Sequence, residues 1–188
     1  MKKLFLLLIL LSILVKGGIA QEIIHETTKD SQSGINSRLD IKALYDNPKA
    51  VLVAVPLDET KDKLTAPVGV WNNGVHCYVF NTDKTPMPAG VKFKIIYSPV
   101  TDSTHFLFQA DIYHLKGKVA YINRPSLNGK PDAVIQASMA ENPSGVMNPK
   151  EIAFKYDAGV KQWYVYNVDG SPIMKDLGMY VIVSNSAA

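Results

Sequence analysis

The chain has 188 residues, 47% of them hydrophobic, with 20 basic and 17 acidic side chains. Lys2, Lys3 and Lys16 all lie in the first 20 residues, so the remainder is balanced in charge and has no run of one sign; neither nucleic acid nor an anionic membrane is an expected partner. The single cysteine, Cys77, excludes an intramolecular disulfide, so the fold must rest on an apolar core.

Residues 1–20 have the pattern of a secretory signal peptide. Lys2 and Lys3 form a basic start, residues 4–15 are apolar apart from one serine, and Gly18-Ile19-Ala20 places small residues before a cut after Ala20. The apolar run is short for a membrane span, which needs about 20 residues. No cysteine follows that could carry a lipid anchor. The expected location is secreted, periplasmic or at the cell surface, with no membrane insertion once the signal is removed.

The elements that follow read as β. Residues 37–46 resemble an irregular connector anchored by Leu44, with room for one helical turn before Asn47-Pro48. Residues 50–55 are a short apolar run rich in β-branched side chains. Residues 68–71, then Asn72-Asn73-Gly74, then residues 75–80 form a hairpin signature, because Asn-Gly supplies the positive φ values a tight turn needs. Asn81-x-Asp83 ends that hairpin with side chains suited to capping a turn. Residues 91–95 alternate apolar and basic, the period of a half-buried strand.

The pattern then repeats. Gly34, Leu39, Leu44, Pro48, Ala54 and Trp71 fall on Gly117, Ile122, Leu127, Pro131, Ala137 and Phe154 at a constant spacing of 83. After a three-residue insertion, Tyr78-Val79-Phe80-Asn81-Thr82-Asp83 falls on Tyr164-Val165-Tyr166-Asn167-Val168-Asp169 at a spacing of 86. Fixed-period similarity marks a duplicated supersecondary unit. Pro125 stands where the first copy has Lys42, and a proline there breaks a helix, so this connector too is read as irregular. The expected architecture is all-β. Residues 21–100 and 101–188 form a pseudo-twofold pair of about five-stranded units that share one core, as a β-sandwich or a closed barrel.

Asn47-Pro48-Lys49-Ala50, Gly69-Val70-Trp71, Phe80-Asn81-Thr82-Asp83 and Met87-Pro88-Ala89-Gly90-Val91-Lys92-Phe93 together resemble an uncharacterised family of secreted bacterial tandem β repeats. The second copy departs from the pattern, with Lys130-Pro131, Ile152-Ala153-Phe154 and Ile173-Met174-Lys175-Asp176 at these places. The resemblance implies an extracellular setting and carries no established activity.

Chemistry is sparse. No Gly-x-Ser-x-Gly occurs, no two of the four histidines have His-x-x-x-His spacing, and no cofactor is expected. Cys77 follows His76, but neighbours on a strand point to opposite faces, and Cys77 aligns with Trp163, a packing position. Asp111-x-x-His114 offers two metal ligands at a spacing common by chance. Asp83 and Asp169 recur in both copies and are read as turn caps. The aromatic strands are the one functional pattern. Tyr78, Phe80, Tyr164 and Tyr166, with Trp71, fall on faces that must be covered by the sister copy, a loop, another subunit or a ligand. The chain is therefore expected to be a non-catalytic binding module for a glycan or an extracellular protein. The alternatives are a structural component of an extracellular layer or adhesin, and an extracellular hydrolase.

Overall fold

The computed structural model describes residues 20–141 and 143–185. The expected signal peptide lies outside the described residues except for Ala20. The strands fall into two sets. The first is β1 (Gln21–Glu26), β2 (Gln32–Ser33), β3 (Asn36–Leu39), β4 (Val51–Pro56), β5 (Val68–Asn72), β6 (Cys77–Asn81) and β7 (Lys92–Ser98). The second is β8 (His105–Gln109), β9 (Leu115–Lys116), β10 (Val119–Ile122), β11 (Ala133–Ala140), β12 (Ile152–Asp157), β13 (Gln162–Asn167) and β14 (Gly178–Asn185).

Each set pairs in the same order. The first gives a sheet β1-β7-β4 and a run β2-β3-β6-β5; the second gives β8-β14-β11 and β9-β10-β13-β12. Pairing within each set is antiparallel. One join between the sets is parallel, β5 to β11, with Gly69 opposite Met139 and Val70 opposite Ala140. It fuses a four-stranded run of one copy with a three-stranded run of the other into a seven-stranded sheet. The fold is all-β and sandwich-like, and no sheet among the described residues closes into a barrel.

Three sequence expectations need correction. Each copy has seven described strands rather than about five, because β2 and β9 are only two residues long and β3 and β10 only four, too short to show a clear alternating period. The connectors read over residues 37–46 and their counterparts begin as strands; only Lys42–Leu44 makes a 3-10 turn, and Pro125 sits in the turn after β10. The alignment of Trp71 with Phe154 is also one residue out. Trp71 pairs with Tyr78 and Val70 with Val79, whereas Lys155 pairs with Tyr164 and Phe154 with Val165. Lys155 is thus the structural counterpart of Trp71, because one of the three inserted residues precedes β12.

The core explains the join. In β4, Leu52 and Ala54 share a face with Tyr97 and Ile95, and Val53 shares the other with Ile96. All of these are buried. Such a strand, closed on both faces, needs cover from both sides. The first copy supplies Val70, Cys77 and Val79 to this cluster, and the second supplies Ala140, Tyr180 and Ile182. The exchange is reciprocal, since Phe80 of β6 belongs to the core built otherwise from the second copy, beside Met139, Met179 and Val181. Ser138 Oγ fastens the contact by accepting from Ala54 N–H (2.9 Å) and donating to Ala54 C=O (3.1 Å).

Phe80 fits only because position 69 has no side chain. A Cβ at Gly69 would lie 2.4 Å from Phe80 Cζ. Burying a phenylalanine contributes about 1.5–3 kcal/mol, and any side chain at position 69 would displace it. Gly69→Ala should therefore lower unfolding free energy by about 1–3 kcal/mol, the usual cost of overpacking, read as a reduced urea midpoint. An unchanged midpoint would show that the ring can move aside freely.

Candidate functional site

Turn chemistry accounts for the repeated Asn-x-Asp pairs. Asn81 Nδ2 donates to the carbonyls of Thr85 (3.2 Å) and Pro86 (3.1 Å), and Asp83 Oδ1 accepts from Thr85 N–H and Oγ1–H. Asn167 Nδ2 donates to the carbonyls of Ser171 (3.3 Å) and Pro172 (2.9 Å), and Asp169 Oδ1 accepts from Ser171 N–H and Oγ–H. The Thr85 hydroxyl and amide hold the Asp83 carboxyl below the ordinary range. The Ser171 hydroxyl, then Lys150 (2.9 Å away), do so more strongly for Asp169. These acids fold loops.

The thiol is enclosed, and His76 and His114 sit against neighbouring rings and an acid. Cys77 is 1% exposed, and burial pushes its thiol up to about 11. A protonated, enclosed thiol is a poor nucleophile. His76 packs edge-on against Tyr45 and Tyr78. His114 Nδ1 lies 2.7 Å from Asp111 Oδ1, close enough for an ion pair though not aligned as a hydrogen bond. Asp111 also caps its own turn by accepting from Tyr113 N–H. Burial pushes the Asp102 carboxyl up, but hydrogen bonds from Thr104 and His105 outweigh it and hold the group at about 2. No group of three metal-ligating side chains occurs among the described residues.

The five aromatic residues singled out from the sequence do not form one site. Phe80 is 1% exposed and enclosed in the core, so it cannot touch a ligand. Trp71 and Tyr78 stack on each other, ring centres 5.1 Å apart and 24° between planes, on the Phe80 side of β5 and β6. Tyr164 and Tyr166 lie elsewhere. They alternate with Val165, which points into the core, so they stand on the outer face of β12-β13-β10-β9, half-buried.

A sixth residue completes this face. Tyr121 on β10 sits opposite Tyr164, with ring centres 5.5 Å apart, and Tyr164 lies 6.0 Å from Tyr166. The Tyr121 hydroxyl donates to Asp157 Oδ2 (2.7 Å), and Lys116 Nζ lies 4.9 Å over its ring. The bond to Asp157 raises the Tyr121 phenol and lowers the Asp157 carboxyl. Tyr121 was missed because its segment read as irregular; its spacing of two from Val119 was the available signal. A depression of about 330 Å³ lies beside two of these rings, bordered by Tyr164, Tyr166, Lys118, Lys155, Asn167 and Ser171. A larger cleft of about 680 Å³ lies between the copies, with Ala54, Pro56 and Lys61 on one side and Ser138, Glu151 and Ile152 on the other.

No described helix is long and apolar enough to cross a membrane. No curated protein and no solved structure matches the chain. A family model described as a domain of unknown function, DUF7452, matches twice, over residues 10–97 and 74–183. The chain belongs to this family, and the two matches overlap across β6 and β7.

Two measurements check the local assignments. Asn81→Ala leaves two loop carbonyls without their donor and should cost about 1–3 kcal/mol, with Asn167→Ala close to it in denaturant titration. Cys77 should resist alkylation in the native protein and react at the rate of unfolding; rapid modification under native conditions would contradict its enclosure.

Proposed function

We propose that the protein is an exported, non-catalytic binding module that takes a glycan on the outer face of β12-β13-β10-β9. The observation that carries this reading is the half-exposed row Tyr121, Tyr164 and Tyr166, bordered by lysines and facing solvent. Sugar rings present apolar C–H faces that stack on aromatic planes, while hydroxyls and any acidic substituents seek polar partners at the rim. Tyr121, held between Asp157 and Lys116, keeps its ring in place before a ligand arrives, which lowers the ordering cost of binding. Lys118 and Lys155 suit carboxylate or sulfate groups along the chain. Export rests on the basic start, apolar run and small-residue cut of residues 1–20.

The comparison between copies supports the choice of face. Where the second copy has Tyr166, the first has Phe80, sealed in the core. A phenylalanine suits burial, whereas a tyrosine suits a surface that is apolar in body and wet at its tip.

Neutral and acidic polysaccharides should be screened by affinity electrophoresis. Tyr164→Ala and Tyr166→Ala should each weaken binding about tenfold or more, as central interface residues do, with unfolding midpoints close to the parent's. Trp71→Ala should leave affinity unchanged. Retained affinity in both tyrosine variants would remove the basis of the proposal.

A further inference from the structure

In the first copy the outer edge of β5 is closed. β11 runs parallel to it, and Glu141 N–H donates to Val70 C=O (3.3 Å). Val68, Val70 and Asn72, whose backbone groups face that edge, are 9%, 0% and 2% exposed. The same edge in the second copy belongs to β12. Glu151 C=O accepts from Val168 N–H, so Glu151, Ala153, Lys155 and Asp157 turn their backbone groups toward β13. Ile152, Phe154 and Tyr156 turn theirs outward. Among the described residues no strand pairs with them, and their apolar side chains are only half-buried. Glu151 and Ile152 border the cleft of about 680 Å³ between the copies, which gives the end of an added strand somewhere to lie.

We propose that β12 pairs with β12 of a second copy of this chain, antiparallel about a twofold axis at Ala153. Outward-facing residues must meet outward-facing residues, which restricts the register. An axis at Phe154 would set Asp157 against Glu151 of the second copy, and an axis at Lys155 would set two lysines against each other. The axis at Ala153 brings two small side chains together at the closest spacing. It sets Ile152 against Phe154 twice, and it sets Lys155 against Glu151 of the second copy twice. Glu151 and Lys155 are both exposed, both on the outer face, and neither has an ion-pair partner among the described residues. A lysine in mid-edge ordinarily guards a strand against pairing; in this register Glu151 neutralises it. The resulting sheet draws four strands from each copy and carries both tyrosine rows on one face.

Sedimentation equilibrium of the purified protein over a wide concentration range tests this. A reversible monomer–dimer equilibrium is expected. Lys155→Glu and Glu151→Lys should each weaken it about tenfold or more, since each converts two favourable cross-strand pairs into like-charge pairs. The double variant Glu151→Lys/Lys155→Glu should restore the parent affinity. Thermal unfolding of each variant alone confirms that these exposed changes leave the fold intact. A monomer at every concentration, or a dimer equally strong in both single variants, would overturn the proposal.

Discussion

The parallel join of β5 to β11 is the constraint on which the rest of the molecule depends. Each copy is a small sandwich with a limited core, and units of this size are marginal alone. The join brings the second copy's β14 against β4, so that Val51, Leu52 and Val53 are buried in succession. It also brings Met139 beside Gly69, where the Phe80 ring crosses the strand. Each copy gives side chains to the other's core, and neither face of the join would be satisfied by water.

One strand order used twice therefore yields two different surfaces. The join engages the β5 edge of the first copy with the β4-type strand of the second, and it is not repeated in reverse. Structurally equivalent positions then face different surroundings and carry different residues. Val70, sealed, corresponds to Phe154, half-buried; Trp71, stacked on Tyr78, corresponds to Lys155, exposed; Arg38 corresponds to Tyr121. The duplicated skeleton keeps what every copy needs locally, the Asn-x-Asp loop above all. The sites of contact and exposure have diverged.

What could be read in the sequence follows the same division. The hairpin at Asn72-Asn73-Gly74, with Gly74 at φ +86°, and the loops held by Asn81 and Asn167 are set by near neighbours, so their residue types announce them. The apolar run of β4 was visible because burial on both faces removes alternation. β3 (Asn36–Leu39) has a single large apolar residue, and β10 is followed by Pro125, so neither announced itself as a strand. Losing β10 meant losing Tyr121 from the candidate face. The one-residue error over Trp71 arose because the insertion is divided between two loops, and only the ladder pairing reveals that. The β5–β11 join links residues some seventy positions apart and leaves no local mark.

A join between unlike surfaces cannot close on itself within two copies. Using one β5-type edge and one β4-type strand leaves one of each over. The molecule disposes of the leftover β4 by burying it, with Ser138 occupying the backbone groups of Ala54 that a further strand would seek. It makes no such provision for β12, where the backbone of three consecutive outward positions and their apolar side chains meet the surface together. Duplication without reciprocal pairing thus leaves one edge of the β5 type, that of β12, open among the described residues. That strand flanks the sheet face on which the tyrosines stand, so any pairing there enlarges the tyrosine surface directly.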